Sequence, residues 1–192
     1  MSLTKQEIIA KATPYFLENG YKGTGLNPLL KTLGMSKGGF YHHFNSKDEL
    51  AVSIAQTLYE AQFQQVINIA CGSGSVKEKM DQMVDIYQPA LSNINYKNSI
   101  NICLYMFEMM KTSADIKQTI SQNYDALMNA LSGAFEKGIE EKELDGQLDV
   151  ESAAIHFVSL LDGLILFQSI YPTSIENHTQ QIMLQFYKSI KA

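Results

Sequence analysis

The sequence predicts an all-α protein. Apolar residues recur three and four positions apart along most of its 192 residues, and Gly, Asn or Pro stands at the breaks between these patterns. No segment alternates convincingly between apolar and polar residues, as a half-buried strand would. The spacing of the breaks predicts three short helices at the N-terminus and a larger helical domain after them.

The first helix follows a predicted capping box. Thr4 and Glu7 have the spacing at which a threonine hydroxyl accepts from a free backbone N–H and the glutamate returns the bond. Asn19-Gly20 predicts the end of this helix, because Gly tolerates the left-handed conformation that ends helices. The apolar residues that share one face of the helix are Ile8, Ala12, Tyr15 and Phe16.

A tight turn separates the second and third helices. Asn27 is a capping residue and Pro28 suits the first helical position, so the second helix is predicted from Pro28 to Leu33. Gly34 can adopt the positive φ of a helix end. The Ser36 side chain can then cap the third helix by accepting from a backbone N–H two or three residues on.

The third helix is predicted from Lys37 to Phe44 and has two faces. Phe40 and Phe44 share the face that we expect to be buried. Gly38 and Gly39 lack side chains, so the start of this helix can approach the floor of a DNA groove. Two short helices joined by a tight turn are typical of the helix-turn-helix, whose second helix enters the major groove. The outward residues of this helix are Lys37, Gly38, Tyr41 and His42.

A long connecting helix is predicted next. Ser46 and Glu49 have the capping-box spacing, which predicts a helix that begins at Lys47 and runs to about Ala70. A break rich in Gly and Ser follows it. The two predicted domains span residues 1–46 and 47–192.

Five more helices are predicted in the larger domain. The fourth of them is apolar nearly all round, which is typical of a membrane span or of a helix buried on several sides. His156 and Asp162 interrupt it, and ionisable groups are costly in lipid, so we expect burial and no membrane. The five helices lie at roughly 76–92, 99–111, 115–142, 149–171 and 174–191, with Pro89, Asn98, Gly146 and Pro172 among the breaks.

Several short motifs stand in the first fifty residues. They are Gly20-Tyr21 with Thr24, Gly34-x-Ser36-Lys37-Gly38, Phe40-Tyr41-x-His43-Phe44, and Lys47 with Leu50. With these motifs the chain resembles the TetR family of bacterial transcription regulators. The resemblance implies a DNA-binding first domain and a second domain that binds a small effector and dimerises, with repression relieved by that effector. It implies a homodimer formed through the helices at about 149–171 and 174–191, and a two-fold dimer requires an inverted-repeat operator.

The resemblance also implies contacts with double-stranded DNA at the matched positions. Lys37, Gly38 and Tyr41 are expected to contact bases or phosphates, and His42 and His43 the DNA backbone. Thr24 and Lys47 are expected to contact flanking phosphates. Ser36 and Gly39 complete the predicted DNA-binding set.

Charge is distributed unevenly along the chain. The net charge is −5, but residues 1–50 carry six lysines against four carboxylates, a net +2, which leaves −7 for the remainder. A mildly basic end on an acidic body fits a protein that touches phosphates with one face only. The chain contains no arginine, so base recognition must use lysine, hydroxyl, imidazole and apolar contacts.

The middle of the larger domain is rich in Met and aromatic residues. Such residues at helical spacing usually fill a core, and they can also wall a pocket for a small apolar or aromatic ligand. Both interpretations can hold together, because a pocket is a gap in a core. The predicted effector residues are Tyr87, Cys103, Tyr105, Phe107, Met110, Tyr124 and Met128.

Only two cysteines occur, Cys71 and Cys103, too few for a disulfide framework. Charged residues interrupt the N-terminal stretch and leave no apolar export segment, so we expect a cytoplasmic protein with reduced thiols. Cys103, together with the downstream Asp162-Gly163, is similar to a subgroup of the family that senses electrophiles and oxidants. A reactive sensor and a buried small hydrophobe are both open at this position.

Two other classes of protein stand as alternatives. An enzyme would need parts such as a Gly-x-Ser-x-Gly elbow, a phosphate loop or His-Glu-x-x-His, and the sequence contains none of these. We therefore expect no catalytic residue, no cofactor and no metal site. The missing arginine and the glycines of the third helix leave open a ligand-binding or interaction module of the same fold that does not bind DNA.

Overall fold

The computed structural model describes residues 3–91, 96–171 and 175–192. Within these ranges the chain forms α-helices and no strand, which confirms the predicted all-α class. The helices are α1 (Lys5–Gly23), α2 (Leu26–Leu33), α3 (Lys37–Tyr41), α4 (Lys47–Cys71), α5 (Val76–Leu91), α6 (Tyr96–Thr112), α7 (Ala114–Glu140), α8 (Val150–Ile170) and α9 (Ile175–Ile190).

The chain divides into two compact units, each made of two segments. Unit 1 comprises Met1–Ala61 and Asn101–Ser121, so most of α6 belongs with the N-terminal helices. Unit 2 comprises Gln62–Ile100 and Gln122–Ala192. The predicted functional boundary after residue 46 stays a prediction, because compactness alone does not assign a function to either segment.

Helix α1 has the predicted start and the predicted break. The Thr4 hydroxyl accepts from the Glu7 N–H at 3.2 Å, and the Glu7 carboxylate accepts from the Thr4 N–H at 2.7 Å, so both halves of the capping box are present. Helical conformation fails at Gly20, where φ is 69° and ψ is 170°, and one further turn carries the chain to Gly23. The fully buried residues of α1 are Ile8, Ala12 and Phe16.

Helix α2 begins before its predicted start. The prediction that Asn27 caps this helix is wrong: Gly25 is the N-cap, and its carbonyl accepts from the Leu29 N–H at 3.1 Å. Pro28 is the third residue of α2, where an N–H would still have no partner within the helix, so proline fits there as well as at the first position.

The turn after α2 confirms two predictions and corrects a third. Gly34 has φ 65° in the left-handed region, and the Ser36 hydroxyl accepts from the Gly39 N–H at 3.1 Å. Helix α3 ends at Tyr41, so its predicted end at Phe44 is wrong. The Phe44 N–H nevertheless donates to the Phe40 carbonyl at 3.0 Å, which keeps these two side chains on one side.

Helix α4 begins at Lys47 as predicted, but only half of its capping box forms. The Ser46 hydroxyl accepts from the Glu49 N–H at 3.1 Å. The Glu49 carboxylate reaches one residue further back and accepts from the Asn45 N–H at 2.8 Å. This backbone hydrogen bond is the main reason that the pKa of Glu49 lies below its ordinary value, and the Lys5 ammonium at 3.2 Å lowers that pKa further.

The helices α5 to α9 lie within three residues of their predicted bounds. Gly146 stands in the predicted break between α7 and α8, whereas Pro89 and Asn98 lie inside α5 and α6, so breaks at those two residues were wrongly predicted. Pro89 is close to the end of α5, where few hydrogen bonds remain to be lost, and Asn98 is in the first turn of α6, where such residues are tolerated. Pro172 lies outside the described residues.

Helix α8 is the most apolar element of unit 2. Among the described residues, the segment Val150–Gln168 is long and apolar enough to cross a membrane by length and composition. It packs against α5 and α9, and Ala154, Phe157 and Leu161 are almost completely buried. The apolar character of α8 is therefore that of a core helix.

Candidate nucleic-acid interface

Helix α3 has one buried and one exposed face, as the sequence predicts. Phe40 and Phe44 are 0% and 1% exposed, and their rings stack with centroids 5.7 Å apart. Tyr41 is 52% exposed, and its ring meets the edge of Phe40. The other exposed residues of this face are Lys37, Gly38, Gly39 and His42.

The two glycines of α3 have different surroundings. A Cβ added at Gly38 would find no atom within 4 Å, so the fold does not require glycine there. A Cβ at Gly39 would lie 3.4 Å from the Ser36 hydroxyl that caps the helix. At Gly38, close approach of DNA would favour glycine, because the packing of the protein does not require it.

Ser36 and the two histidines lie at either end of α3. The Ser36 hydroxyl is occupied by the cap, so this exposed residue holds the start of the helix in place. The rings of His42 and His43 meet edge to face, with centroids 5.0 Å apart. Among the described residues, no group of three or more His, Cys, Asp or Glu side chains could hold a metal ion.

The structure gives Thr24 and Lys47 supporting positions rather than exposed ones. Thr24 is 1% exposed and its hydroxyl donates to the Gly20 carbonyl at 2.7 Å, so it does not face a phosphate. The Lys47 ammonium donates to the carbonyls of Tyr21 and Thr24 at 2.9 and 3.0 Å and lies 4.2 Å from the centre of the Tyr21 ring. Burial therefore excludes Thr24 as a direct contact, whereas a phosphate contact by Lys47 stays a prediction: sequence spacing shows position but not what a side chain already binds.

Exposed lysines surround the module formed by α1, α2 and α3. Lys22, Lys31 and Lys37 are exposed and take no part in the ion pairs of the described residues. Lys5, by contrast, pairs with Glu49 and lies 4.8 Å from the centre of the Phe44 ring. Lys22, Lys31 and Lys37 can bind DNA phosphates, because exposed ammonium groups that neutralise phosphates release the counterions condensed on the DNA.

Three hydrogen bonds that sequence reasoning missed connect α1, α4 and α6. The Glu108 carboxylate accepts from the Tyr21 N–H, the Tyr105 hydroxyl donates to the Ala51 carbonyl at 2.8 Å, and Asp48 accepts from the Tyr21 hydroxyl at 2.7 Å. The last bond, with burial, raises the pKa of Tyr21 to about 12. Glu108 is 87 residues from Tyr21, a distance over which no local spacing could predict the contact.

The predicted effector residues are distributed over both units. Cys103, Tyr105, Phe107 and Met110 belong to unit 1, whereas Tyr87, Tyr124 and Met128 belong to unit 2. A single pocket lined by all seven stays a prediction.

The seven predicted effector residues differ in their exposure and in the contacts that they make. Tyr105 is 2% exposed, meets Phe16 edge to face at 5.9 Å and is a core residue, and burial raises the pKa of its phenol. Phe107 is 55% exposed and contributes no buried wall. The Tyr124 hydroxyl donates to Asp162 at 3.0 Å, and Tyr124 meets Phe63 edge to face. Tyr87 is buried, whereas Cys103, Met110 and Met128 are half-buried.

A groove of about 530 Å³ lies between α8 and α9 in unit 2. None of the seven predicted effector residues lines it. Its apolar lining continues into exposed aromatic side chains, since Phe167 and Tyr171 are 56% and 54% exposed. The apolar and aromatic lining residues are Leu160, Leu164, Phe167, Tyr171 and Ile182.

The fold and the α3 surface define the class of protein, a transcription regulator that binds DNA through a helix-turn-helix. Residues 8–54 match the family model described as bacterial regulatory proteins, tetR family. Residues 79–180 match the tetracyclin repressor-like C-terminal domain. The chain belongs to the TetR family of bacterial transcription regulators.

Individual relatives agree with this assignment. The HTH-type transcriptional repressor NemR of Escherichia coli K12 is 29% identical over 141 residues, which are 71% of this chain and 69% of NemR. The crystal structure of the reduced form of E. coli NemR has a TM-score of 0.73 at 24% identity, covering 98% of this chain and 97% of that one. FadR of Bacillus subtilis, solved in complex with stearoyl-CoA, has a TM-score of 0.76 at 18% identity, covering 97% and 100%.

Proposed function

We propose that this regulator is a homodimeric repressor that binds an inverted-repeat operator and leaves it when a small effector binds. The observation that carries the DNA contact is α3, whose exposed face holds Lys37, Gly38, Tyr41 and His42 above the buried Phe40. A lysine, a phenol and an imidazole can contact base edges and phosphates, and the bare backbone at Gly38 permits a close approach. His43 and Gly39 lie beside this set.

Exposed apolar residues on α8 support the homodimer. Ile155 is 57% exposed and Leu166 is 48% exposed, in addition to Phe167 and Tyr171 beside the groove. Apolar side chains this exposed favour burial against another protein surface. A second copy of the chain fits, because a two-fold axis places the same apolar face on both sides of the interface.

The proposed effector is a small apolar or aromatic molecule that binds in unit 2. Half-buried Tyr124 and Met128 support this class of ligand, since methionine and aromatic side chains adapt to irregular apolar shapes. The stearoyl-CoA complex of FadR supports it by analogy of fold alone. Binding would move α4 between two positions and misalign the two α3 helices on successive major grooves.

A thiol-dependent response is the second candidate. Cys103 is half-buried on α6, and it belongs to the same compact unit as the helix-turn-helix. The similar E. coli NemR structure is that of a reduced form, which supports a redox-dependent response as a candidate. In this case an electrophile should release DNA from the wild type, and Cys103→Ser should abolish that release.

We also infer a cytoplasmic location and no enzymatic activity. Both follow from membership of a family of bacterial regulators that act on DNA, and hydrolysis of general ester substrates by the purified protein would contradict the second.

The deciding experiment is fluorescence anisotropy of the reduced protein on its own upstream DNA and on a scrambled duplex, over a range of salt. Preference for the native fragment, with affinity falling as salt rises, is the expected result. An absence of binding to either duplex at low salt would leave a ligand-binding module without DNA binding.

A pair of glycine variants tests the α3 surface itself. Gly38→Ala adds a methyl group that the fold tolerates, and about a tenfold loss of specific affinity is expected if the backbone approaches the groove there. Gly133→Ala is the matched control, because Gly133 is an exposed glycine within α7 whose Cβ would also meet no atom within 4 Å. Equal affinities for the two variants would contradict the proposed contact.

A further inference from the structure

We propose that Glu108 is a positioning residue for DNA binding, which fixes the helix-turn-helix module to α6. The inference rests on the proposed contact between α3 and DNA. It adds a residue 87 positions away from the segment that it holds.

The break in α1 creates the groups that Glu108 binds. After Gly20 a short new turn begins, and the N–H groups at the start of a helical turn have no partners within it. The Tyr21 N–H donates to Glu108 Oε2 at 2.7 Å, and the Lys22 N–H donates to Oε1 at 3.1 Å. Both oxygens of one carboxylate therefore bind this segment.

Glycine at position 20 suits the contact in two ways. Its φ of 69° is a conformation that other residues rarely adopt. A Cβ at this position would lie 3.0 Å from Glu108 Oε2, closer than side-chain carbons ordinarily come. The break and the approach of the carboxylate therefore depend on the same residue.

The segment after Gly20 is also bound to the start of α4. The Tyr21 hydroxyl donates to Asp48, and the Lys47 ammonium donates to the carbonyls of Tyr21 and Thr24. Glu108 is the side chain that binds its N–H groups from the side of α6. Without it, α6 keeps the Tyr105 contacts with Phe16 of α1 and Ala51 of α4, neither of which lies in the segment after Gly20.

This geometry predicts a separation between two kinds of DNA binding. Specific binding requires the orientation of each α3 to match its half-site, and a loosely held module must be ordered when it binds. Non-specific binding uses exposed lysines and phosphates, which tolerate a range of orientations. Loss of Glu108 should therefore reduce the first and leave the second nearly unchanged.

The test compares Glu108→Ala, Glu108→Gln and Glu136→Ala with the wild type. Glu136 is an exposed carboxylate on α7 and provides the charge-matched control. For Glu108→Ala we expect about a tenfold loss of affinity for the native upstream fragment, with affinity for a scrambled duplex within about twofold of wild type. Glu108→Gln retains one acceptor oxygen and should fall between the two.

Hydrogen exchange of the purified proteins gives the second readout. In Glu108→Ala the amides of Tyr21 and Lys22 should exchange faster while those of the α1 core keep their protection. Faster exchange there with unchanged specific affinity would overturn the proposal and leave Glu108 as a local cap. An equal loss of both affinities with faster exchange throughout would overturn it as well, since that is loss of the fold.

The wild type separates this inference from the proposed function. A wild type that fails to prefer its own upstream fragment would refute the proposed function and remove the premise of the inference. A wild type that prefers it, with Glu108→Ala showing the same preference, would refute the role of Glu108 alone.

Discussion

Both compact units stabilise helix ends with one glutamate and one lysine, and the lysines lie at different depths. In unit 1, the Glu108 carboxylate binds free N–H groups and the Lys47 ammonium binds free carbonyls, in contacts that are exposed or partly buried. In unit 2, Glu143 accepts from the N–H groups at the start of α5, and Lys79, which is 4% exposed, donates to the Ala70 carbonyl near the end of α4.

The depth of these contacts decides what their loss costs. Water can replace a hydrogen bond near the surface, whereas a buried group that loses its partner stays unsatisfied. We infer that the buried Lys79 contact of unit 2 serves mainly stability. The part-buried contacts of Glu108 and Lys47 in unit 1 hold an orientation and can be released at lower cost.

The largest expected effect is at Lys79. Lys79→Ala removes a buried side chain and leaves the Ala70 carbonyl without its ammonium, so the free energy of unfolding should fall by about 3 kcal/mol in urea titrations. Lys79→Met keeps the apolar stem and should lose less. Lys137→Ala, at an exposed pair with Glu141, should change stability by no more than about 0.5 kcal/mol. A loss for Lys79→Ala as small as that for Lys137→Ala would contradict a stabilising role for the buried Lys79 contact.

The second largest loss of stability is expected for substitution of Glu143. Its carboxylate accepts from the Val76 N–H at 2.7 Å, the Lys77 N–H at 2.9 Å and the Tyr187 hydroxyl at 3.1 Å. Glu143→Ala should reduce the free energy of unfolding by about 2 kcal/mol.

A phenol titration of the same Glu143→Ala variant gives an independent check. Burial raises the pKa of Tyr187, and the bond to Glu143 raises it further. The tyrosine should therefore ionise at lower pH in the variant. An unchanged pKa would show that the carboxylate does not bind this hydroxyl in solution.

A smaller loss is expected at Lys47 in unit 1. Lys47→Met removes two part-buried hydrogen bonds to carbonyls, so the free energy of unfolding should fall by about 1 kcal/mol. Lys31→Met, at an exposed lysine of α2, is the control. A loss at Lys47 as large as that at Lys79 would show that depth does not separate the two lysine contacts.

The smallest effect concerns Asp162 in unit 2 and appears as a dependence on pH. Burial raises the pKa of this carboxyl above its ordinary value, and the Tyr124 hydroxyl lowers it only in part. The folded state therefore holds the proton more tightly than the unfolded state, and stability falls as pH rises through the raised pKa. Asp162→Asn should lack this fall, so its stability relative to wild type should increase from pH 4 to neutrality. A constant difference across that range would contradict the assignment.

Local chemistry made much of unit 1 predictable. The Thr4 and Glu7 box, the left-handed Gly34, the Ser36 cap and the shared face of Phe40 and Phe44 each depend on residues a few positions apart. Their outcomes could therefore be derived from spacing. The start of α2 was wrong by two residues and the end of α3 by three, because more than one position in each segment could begin or end a helix.

Contacts between distant parts of the chain were not predictable. Nothing near Lys47 shows that its ammonium binds the carbonyls of Tyr21 and Thr24, and nothing near Glu108 indicates its partners. The same limit applies to the effector residues: helical spacing puts Tyr105 and Phe107 on different faces of α6, but it does not show which face is buried. Periodicity places residues on a helix face, but packing decides what that face meets.

The empty space beside Gly38 lets DNA preference change without disturbing the packing of the protein. A Cβ at this position would find no neighbouring atom within 4 Å, so the fold has room for a small side chain there. Small residues at this position would give regulators of the same fold that differ in the half-sites they accept. The chain thus carries, at one residue, a ready point for retargeting to new promoters.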